Sequence, residues 1–490
     1  MPDFEVTLDN FLEEVQQAFE QQLQIDSLLS ISKELQAEFK QHLISSPQCM
    51  LPSFNYILPT GEELGTYLAL EVGGSNLRMA LVELLGRRHE QESMRIKHTL
   101  CFPIDSSVRQ LQDHAFFDWM AEKIREMLLL HNETKHSTEE TEPLRMGVAW
   151  SFPIDQKSVR SGNVLGMGKG FNCSDSVKGH DLGEIISQAC ERASVNVRLD
   201  AIVNDSSSTL LALAYLDPAT RMACILGTGM NVAIHLPIKS LHPSKFASRS
   251  IPQNNSITHV LTNTEFSMYG KHIFPTTKWD DLLNERHILP NYQPFEYLVA
   301  GGYLGEIVRL ILAEATYKAG LFASGLPPSL NIPYTLDTKT LAQIELDSSP
   351  SLSATSSLLQ QQYSLPQALT YADAHFIRQT ILFVTTRSIA YFTAGIYALS
   401  SLLQELEHQA GLEEDGLDHI TIGCDGSVIN KYPGYMDRAQ SILERMREAE
   451  EVEGGVKRKR VVLERTVESA VRGAGVAGAL AALDEGGDAV

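Results

Sequence analysis

Two glycine-rich segments carry groups that suit a phosphate. The first ends on an arginine and contains Glu71, Gly73, Gly74, Ser75, Asn76 and Arg78; the second contains Gly227, Thr228 and Gly229. A tight glycine turn presents several backbone N–H groups on one side, and such donors suit a polyphosphate. Each turn alone is also compatible with an ordinary hairpin, and neither has Walker-loop spacing. Two such turns, each after an apolar run, predict a clamp on a polyphosphate and hint at two similarly built halves.

A carboxylate follows another apolar run. Ala201, Ile202 and Val203 lead directly to Asn204 and Asp205. A carboxylate at the end of a strand can accept the proton of a reacting hydroxyl group, which makes Asp205 a candidate general base. Because Asn-Asp pairs are also common in turns and helix caps, the pair is equally compatible with a structural role.

Four further segments carry hydroxyl, amide, ammonium and carboxylate groups near predicted element ends: residues 150–153, 166–171, 263–265 and 295–296. Lys169 stands among glycines, where a ligand can approach the backbone closely. Each of these charged side chains, taken alone, is more often exposed and solvated. Together they form a set that could read the hydroxyl groups of a sugar.

Apolar periodicity predicts the elements that would position these residues. Strands are predicted at 67–70, 79–83, 146–150, 201–203, 222–226, 232–236, 419–422 and 461–463. Helices are predicted over the first 45 residues, after the capping residue Asp181, and at 298–322, 376–406 and 467–483. The Ser- and Gln-rich stretch 347–364 is predicted to be an exposed loop. This alternation indicates an α/β fold with sites at the carboxyl ends of strands.

Composition argues against several classes of protein. The 490 residues include 43% hydrophobic and 21% charged residues, which is typical of a globular protein of two or three domains. The net charge of −21 argues against bulk binding to nucleic acid or an anionic membrane. The 6 cysteines are scattered, and no apolar run is long enough to span a bilayer. We therefore expect a cytoplasmic protein without a membrane span.

Taken in order, these segments resemble the eukaryotic hexokinase family over about residues 10–483. The two glycine segments resemble that family's phosphate loops, and residues 423–427 resemble its adenosine motif. The segments around Ser151, Lys169, Glu265 and Glu296 resemble its sugar-binding segments, and Asn204-Asp205 resembles the pair that holds the catalytic base. The resemblance implies a two-lobed, actin-like (ribonuclease H-like) α/β fold with a cleft between the lobes.

The resemblance also implies transfer of the γ-phosphoryl group of ATP to a sugar 6-hydroxyl group, with Mg²⁺ bound with the nucleotide and no separate protein metal site. Asp205 would take the hydroxyl proton, and Lys169 would help to hold the sugar and neutralise developing charge. The sugar would be bound by Ser151, Phe152, Pro153, Gly168, Asn204, Asn231, Glu265 and Glu296. The nucleotide would be bound by Glu71, Gly73, Gly74, Ser75, Asn76, Arg78, Gly227, Thr228, Gly229, Asp425, Gly426 and Ser427.

The implied organisation has four parts. They are an N-terminal helical segment at 1–61, a small lobe at 62–203, a large lobe at 204–468, and a C-terminal helix at 469–490 that returns to the small lobe. The small lobe would supply the first phosphate loop and two sugar segments. The large lobe would supply the base, the second phosphate loop and the adenosine motif.

Several positions depart from the family's usual residues. Glu71 replaces Asp, Ser75 replaces Thr, Gly168 replaces a sugar-contacting Thr, Phe266 replaces Trp, and Arg472 opens a stretch that replaces an Asp-Gly-Ser-Gly motif. Gly168 is smaller than the threonine it replaces, and the freed space is compatible with a bulky 2-acetamido group on the sugar. The chain most resembles the divergent fungal N-acetylglucosamine kinase subgroup, so N-acetylglucosamine is the expected acceptor. A glucose or broad-specificity hexokinase is the alternative.

A further alternative is a catalytically weak, sugar-responsive regulator. The changes at Glu71 and Arg472 motivate it, and the basic run 457–460 would then be a nuclear signal. The same run is also compatible with an exposed loop before the strand predicted at 461–463.

Overall fold

The computed structural model describes residues 5–87, 92–133, 142–168, 170–246, 257–365, 367–412, 417–454 and 457–487. The strands are β1 Leu51–Pro52, β2 Leu64–Val72, β3 Asn76–Leu85, β4 Met94–Pro103, β5 Leu144–Trp150, β6 Ile154–Ser158, β7 Ser161–Val164, β8 Val197–Val203, β9 Thr220–Leu226, β10 Met230–Pro237, β11 His259–Asn263, β12 His419–Asp425 and β13 Arg460–Arg465.

The helices are α1 Leu8–Glu20, α2 Ile25–Ser45, α3 Ser106–Arg109, α4 Ala115–Glu133, α5 Leu182–Arg192, α6 Asp205–Leu216, α7 Lys278–Arg286, α8 Pro294–Val299, α9 Gly301–Ala319, α10 Thr338–Glu345, α11 Ser353–Tyr363, α12 Tyr371–Ala410, α13 Ser427–Lys431, α14 Tyr435–Gly454 and α15 Ser469–Gly487. Short 3₁₀ turns span Ile238–Ser240, Pro243–Phe246, Phe266–Met268 and Pro328–Asn331.

Two mixed sheets organise two lobes within the described residues. A five-stranded sheet has the order β4-β3-β2-β5-β8, and a six-stranded sheet has the order β1-β11-β10-β9-β12-β13. In the first sheet β2, β5 and β8 are parallel neighbours and β3 forms a hairpin with β2. In the second sheet β9, β12 and β13 are parallel and β10 forms a hairpin with β9. Both predicted glycine hairpins are therefore confirmed, and the two sheets share one plan.

The central residues of the parallel strands of the smaller sheet, such as 67–70 of β2, are apolar because both faces of the sheet are covered. On β2, Leu68 and Leu70 lie in the core formed with α4 and α5. The intervening Tyr67 and Ala69 lie in the cluster formed with α15. Helix α5 begins where it was predicted, since the Asp181 side chain accepts a hydrogen bond from the N–H of residue 184.

The N-terminal segment is built into the core of the larger lobe. The ring of Phe11 stacks on Phe376 of α12 at 6.1 Å, and the ring of Phe19 stacks on Trp279 of α7 at 5.8 Å. Strand β1 pairs with β11 and forms one edge of the larger sheet. Residues 1–61 were expected to be an N-terminal helical segment; their described part contains α1 and α2 and shares its apolar core with the larger sheet.

The central helix α12 is 40 residues long and begins with a capping box between Thr370 and Asp373. Among the described residues it is the helix long and apolar enough to cross a membrane, but 89% of its most apolar window is buried inside the molecule. Its Arg387 is buried and donates to both carboxylate oxygens of Asp280 at 2.5 and 2.8 Å. The helix is therefore fixed in the protein core by both apolar and ionic contacts.

Two predicted elements were wrong in part. The stretch 347–364 was expected to be an exposed loop, yet it contains α11, whose Thr355, Leu359 and Tyr363 are buried. These residues recur every four positions and form an inward stripe that the surrounding Ser and Gln residues obscured. The helix expected at 298–322 is two helices, because the extended backbone of Ala300 separates α8 from α9.

Helices α6 and α15 pack against each other between the two sheets. A Cβ atom on Gly473 would lie 1.7 Å from the carbonyl oxygen of Ser208, so only glycine permits this approach. The Ser208 hydroxyl donates to the carbonyl of Ala470 at 2.5 Å, and the hydroxyls of Thr209 and Ser469 lie 2.9 Å apart. The stretch that begins at Arg472 therefore serves helix packing between the lobes.

Candidate active site

The candidate base lies at the first turn of α6, directly after β8. Asn204 caps this helix, since its Oδ1 accepts from the backbone N–H of Ser206 at 3.0 Å. The same N–H lies 2.8 Å from Asp205 Oδ1, and Ser151 Oγ donates to Asp205 Oδ2 at 3.2 Å. The positive end of the helix dipole stabilises a carboxylate here. The capping role that the sequence left open belongs to Asn204, and it leaves Asp205 at the junction of the two lobes.

A row of amides leads from this junction into the larger lobe. Asn231 Nδ2 donates to Asn204 Oδ1 at 3.2 Å and to Asn263 Oδ1 at 2.8 Å. Asn263 Nδ2 in turn donates to Glu265 Oε1 at 2.8 Å. Asn263 was not among the predicted binding residues, although its position two residues before Glu265 was a usable signal. We call Asn204, Asn231, Asn263 and Glu265 the amide row.

Glu265 has an unusual backbone and an unusual carboxyl group. Its φ of 54° and ψ of 50° are left-handed, a conformation that costs a non-glycine residue free energy and persists only when neighbours enforce it. Burial raises the pKa of Glu265; the hydrogen bond from Asn263 lowers it, and the charge of Asp205 raises it. The two carboxylates therefore act on each other across the site.

Glu296 lies on α8 and contacts the second glycine turn. It is buried, and its Oε2 accepts from the backbone N–H of Met230 at 2.8 Å. The Tyr303 hydroxyl donates to its Oε1 at 3.3 Å. A Cβ atom on Gly229 would lie 2.8 Å from Glu296 Oε2. Glu296 thus links a predicted sugar position to a predicted phosphate turn, and its partner Tyr303 on α9 was not among the predicted site residues.

In the first sugar segment of the smaller lobe, Ser151 contacts the candidate base, whereas the ring of Phe152 packs inside the lobe. Ser151 extends β5, and its N–H donates to the carbonyl of Val72 at 3.1 Å. Phe152 was expected to bind sugar, but it is buried and packs against Trp150 and Phe171 with ring centroids at 5.2 and 5.0 Å. It supports the segment through an aromatic cluster, a role that only the tertiary structure reveals.

Three other residues of this region were predicted to lie in the site, and the structure describes two of them. Pro153 is exposed, and its carbonyl accepts from Leu165 N–H at 3.1 Å. Gly168 is exposed, and an added Cβ atom would meet nothing within 4 Å. Lys169 lies outside the described residues.

The first glycine turn is open on its outer side. Ser75 and Asn76 are exposed, and Gly73 N–H donates to the Asn76 carbonyl at 3.1 Å within the turn. Gly74 is held from outside the hairpin, because Arg109 Nη2 donates to its carbonyl oxygen at 2.9 Å. Arg109 stood out in no sequence pattern, yet it is the side chain that anchors this turn.

Glu71 and Arg78 form an ion pair beside the first turn. Arg78 Nη1 lies 2.9 Å from Glu71 Oε2. Burial raises the pKa of Glu71; Arg78 lowers it, and the charges of Asp205 and Asp425 raise it. Arg78 therefore neutralises Glu71, and the three carboxylates from different strand ends share one electrostatic environment.

The second glycine turn is enclosed by α9. Gly301 N–H donates to the Gly227 carbonyl at 2.8 Å, and Gly302 N–H donates to the Thr228 carbonyl at 2.9 Å. Inside the turn, Gly227 N–H donates to the Gly229 carbonyl at 2.9 Å. Gly227 is buried, whereas the Thr228 hydroxyl stands at the exposed tip.

The predicted adenosine residues lie beside this turn. A Cβ atom on Gly227 would lie 3.4 Å from the backbone nitrogen of Ser427 and 3.7 Å from the Cα atom of Gly426. Asp425 ends β12 and accepts from Gly426 N–H at 2.7 Å and from the Ser469 hydroxyl of α15. The structure therefore groups Gly227 and residues 425–427 at the same strand ends.

The fold and the site together define a class of protein. Two lobes of one α/β plan meet at Asp205, which accepts a hydrogen bond from Ser151 of the smaller lobe and lies beside the amide row of the larger lobe. This is the arrangement of a two-lobed, actin-like protein with an interlobe site suited to a polar ligand and a phosphate.

Comparisons with known proteins identify the family. Two family models described as hexokinase match residues 12–215 and 221–480. Hexokinase-1 of Saccharomyces cerevisiae is 30% identical over 394 residues, which cover 80% of this chain and 76% of that protein. The hexokinase of Schwanniomyces occidentalis is 29% identical over 442 residues, which cover 88% and 87% of the two proteins. The chain belongs to the hexokinase family, a family of sugar kinases.

Solved structures confirm the predicted fold. The hexokinase from Schistosoma mansoni, complexed with glucose, aligns with a TM-score of 0.79 at 24% identity over 97% of this chain and all of that chain (100%). Another hexokinase crystal structure aligns with a TM-score of 0.76 at 25% identity over 96% of this chain and 99% of that chain. The expected two-lobed, actin-like fold is therefore correct.

Proposed function

We propose that this protein transfers the γ-phosphoryl group of ATP to the 6-hydroxyl group of a hexose, with glucose as the first candidate. The observation that carries the proposal is the position of Asp205. Its carboxylate accepts a hydrogen bond from the Ser151 hydroxyl of the smaller lobe and lies beside the amide row of the larger lobe. The relatives named above are hexokinases, and one of the aligned structures is a glucose complex, which supports glucose as acceptor.

The chemistry asks little of the protein beyond positioning and charge stabilisation. Asp205 would accept the proton of the 6-hydroxyl group as its oxygen attacks the γ-phosphorus. The amide row offers paired donors and acceptors, the groups that fix the orientation of a sugar through its hydroxyls. Because Asn231 Oδ1 accepts from the backbone N–H groups of Val232 and Phe266 at 2.8 and 3.2 Å, its amide orientation is fixed before the sugar binds.

The glycine turns and the residues that follow β12 carry the hydroxyl and backbone N–H groups that a magnesium–nucleotide complex would need. The Thr228 hydroxyl and the two glycine turns would face the phosphates, while Gly426 and Ser427 would contact the nucleoside. Among the described residues, no three His, Cys, Asp or Glu side chains form a group that could hold a metal ion. Mg²⁺, which usually keeps most of its ligands as water and phosphate, would be held with the nucleotide and would neutralise phosphate charge.

The test is a sugar panel measured with wild-type and Asp205→Asn protein. ADP release with glucose, mannose, fructose and N-acetylglucosamine is followed by identification of the phosphorylated carbon by ³¹P NMR. We expect Asp205→Asn to lower kcat on the order of 10²-fold or more, with glucose affinity nearly unchanged. Asp155→Asn, at an exposed carboxylate of the smaller lobe, is the control for the change of charge. A loss below threefold would exclude Asp205 as the base, and negligible wild-type turnover with all four sugars would exclude the kinase.

N-acetylglucosamine is the second candidate acceptor. It is favoured by the open space at Gly168, where the hexokinase resemblance places a threonine and an added Cβ atom would meet nothing within 4 Å. The ratio of kcat/KM for N-acetylglucosamine to that for glucose decides between the two. A regulator that barely reacts would instead bind one of these sugars in calorimetry without measurable ADP release.

A further inference from the structure

Lys245 is hydrogen-bonded to the backbone of the segment that precedes β1. It lies in the 3₁₀ turn Pro243–Phe246, on the connection between β10 and β11. Its ammonium group donates to the carbonyl oxygen of Ser46 and to that of Cys49, the latter at 2.5 Å. The same connection meets the end of α2, where His242 N–H donates to the Leu43 carbonyl at 3.1 Å. Residues far apart in sequence are thus joined at the edge of the larger sheet.

One peptide group connects this ammonium to the backbone of Glu265. The carbonyl of Cys49 accepts from Lys245, and the N–H of the same peptide group, on Met50, donates to the Thr264 carbonyl at 3.2 Å. That carbonyl belongs to the peptide bond that joins Thr264 to Glu265. Hydrogen bonds in series polarise one another, and a charged donor at the end strengthens the series.

Both ends of this connection have strained backbones. Met50 has a φ of 53° and Glu265 a φ of 54°, left-handed values that persist only where surrounding contacts enforce them. On one side, Thr264 N–H and Oγ1 bond to the Val232 carbonyl at 3.1 and 2.7 Å. The Met50 bond holds the opposite side of Thr264, and the pairing of Leu51 with Asn263 continues the same contact.

The ammonium is suited to this task. Lys245 is half-buried, and burial lowers its pKa to about 8, so the group is mainly charged at neutral pH. A half-buried ammonium that donates to two carbonyl oxygens forms stronger bonds than a neutral donor would. Loss of its charge would weaken the hydrogen bonds to the Ser46 and Cys49 carbonyls together.

We propose that Lys245 is a positioning residue for sugar binding: by holding the Cys49–Met50 peptide group against Thr264, it keeps Glu265 in its left-handed conformation and its carboxylate in the amide row. The inference rests on the proposed function and adds a residue to it. Lys245 touches neither sugar nor nucleotide in this role, so its removal weakens sugar binding and leaves phosphoryl transfer itself intact.

The test compares Lys245→Met, Lys245→Arg and Lys245→Gln with wild type. Glucose and N-acetylglucosamine dissociation constants are measured by calorimetry, alongside kcat, KM for sugar, KM for ATP and the melting temperature. We expect Lys245→Met to raise sugar Kd and KM about tenfold, with kcat and KM for ATP changed less than threefold. Lys245→Arg should stay within about threefold of wild type, because a guanidinium can donate to both carbonyls. Lys239→Met, at an exposed lysine of the same connection, should behave as wild type.

Each outcome decides a different claim. Sugar Kd within twofold of wild type in Lys245→Met, or no recovery in Lys245→Arg, overturns the positioning role. Equal losses of sugar affinity, ATP affinity and melting temperature also overturn it, since they indicate general destabilisation. If Lys245→Met does not fold, Lys245→Gln replaces it, because its amide is a neutral donor group. The Gln variant is expected to show an intermediate sugar KM. Failure of both variants to fold counts against the proposal. Wild-type protein that neither binds nor phosphorylates either sugar refutes the proposed function itself.

Discussion

The two glycine turns occupy matching places in the two sheets but are held in different ways. The first turn joins β2 to β3, and its Ser75 and Asn76 are exposed. From outside the hairpin, the Arg109 guanidinium donates to the Gly74 carbonyl and the Ile104 N–H donates to the Ser75 carbonyl at 2.8 Å. The second turn joins β9 to β10 and is bound by two backbone N–H groups of α9. The same sequence signal therefore produces one turn with two exposed residues, held by a side chain and one backbone N–H group, and one turn that is bound to a helix of its lobe.

This difference follows from what lies behind each turn. Behind the second turn, Glu296 accepts from Met230 N–H and lies where a Cβ atom on Gly229 would be. A change there must therefore disturb a predicted phosphate contact and a predicted sugar contact together. In the first turn, the contact given for a Cβ atom on Gly73 is the Asn76 carbonyl of the turn itself at 3.6 Å, so a change at Gly73 should affect the nucleotide alone.

The largest effect is expected from Gly229→Ala. The new Cβ atom would lie 2.8 Å from Glu296 Oε2, so either the turn or the carboxylate must move. We expect kcat/KM for sugar to fall on the order of 10²-fold, with a raised KM for ATP and a lower melting temperature. Steady-state kinetics and thermal unfolding measure these changes. Wild-type sugar KM in this variant would show that Glu296 does not depend on the turn.

A smaller effect is expected from Arg109→Met. Arg109 donates to the Gly74 carbonyl, and its own carbonyl accepts from Asn172 N–H at 2.8 Å, so it joins the first turn to the loop that follows Gly168. Loss of a hydrogen bond from a charged group costs roughly 1.5–3 kcal/mol, which the released turn can partly recover. We therefore expect KM for ATP to rise about five- to tenfold, with sugar KM changed less than threefold.

Arg125→Met is the matched control for Arg109→Met. Arg125 lies on the exposed side of α4, where it pairs with Glu122 one turn earlier. Its replacement removes the same charge from the same lobe and should leave both KM values unchanged. An equal rise of KM for ATP in the two variants would mean that the net charge of the lobe matters and the anchor on Gly74 does not.

The strand ends and both glycine hairpins could be predicted because their signals are local. Apolar runs of four to eight residues bounded by glycine or polar turns report strands directly. Asn204-Asp205 at the end of such a run was visible for the same reason. The helix α11 was missed because its buried Leu359 and Tyr363 are separated by Gln residues, so composition concealed the period.

The partners of the site could not be predicted because their roles exist only in the tertiary structure. Arg109 lies 35 residues from Gly74, and Lys245 lies 196 residues from Cys49. A lone Arg or Lys in a polar loop gives no sign of which carbonyl it will meet. Phe152 shows the same limit: its place in a sugar-like segment predicts contact with a ligand, but the packing of its ring in an aromatic cluster is visible only in the structure.

The smallest effect is expected from Gly73→Ala in the first turn. The new Cβ atom would lie 3.6 Å from the Asn76 carbonyl, an ordinary van der Waals distance, and the φ angle of Gly73 is not left-handed. Because alanine restricts the unfolded chain, stability should stay the same or rise by about 0.4–1 kcal/mol. We expect sugar KM within twofold of wild type. A fall in kcat/KM for sugar as deep as that of Gly229→Ala would erase the contrast between the turns, whereas a rise confined to KM for ATP would show that a phosphate approaches the Gly73 backbone too closely to tolerate a methyl group.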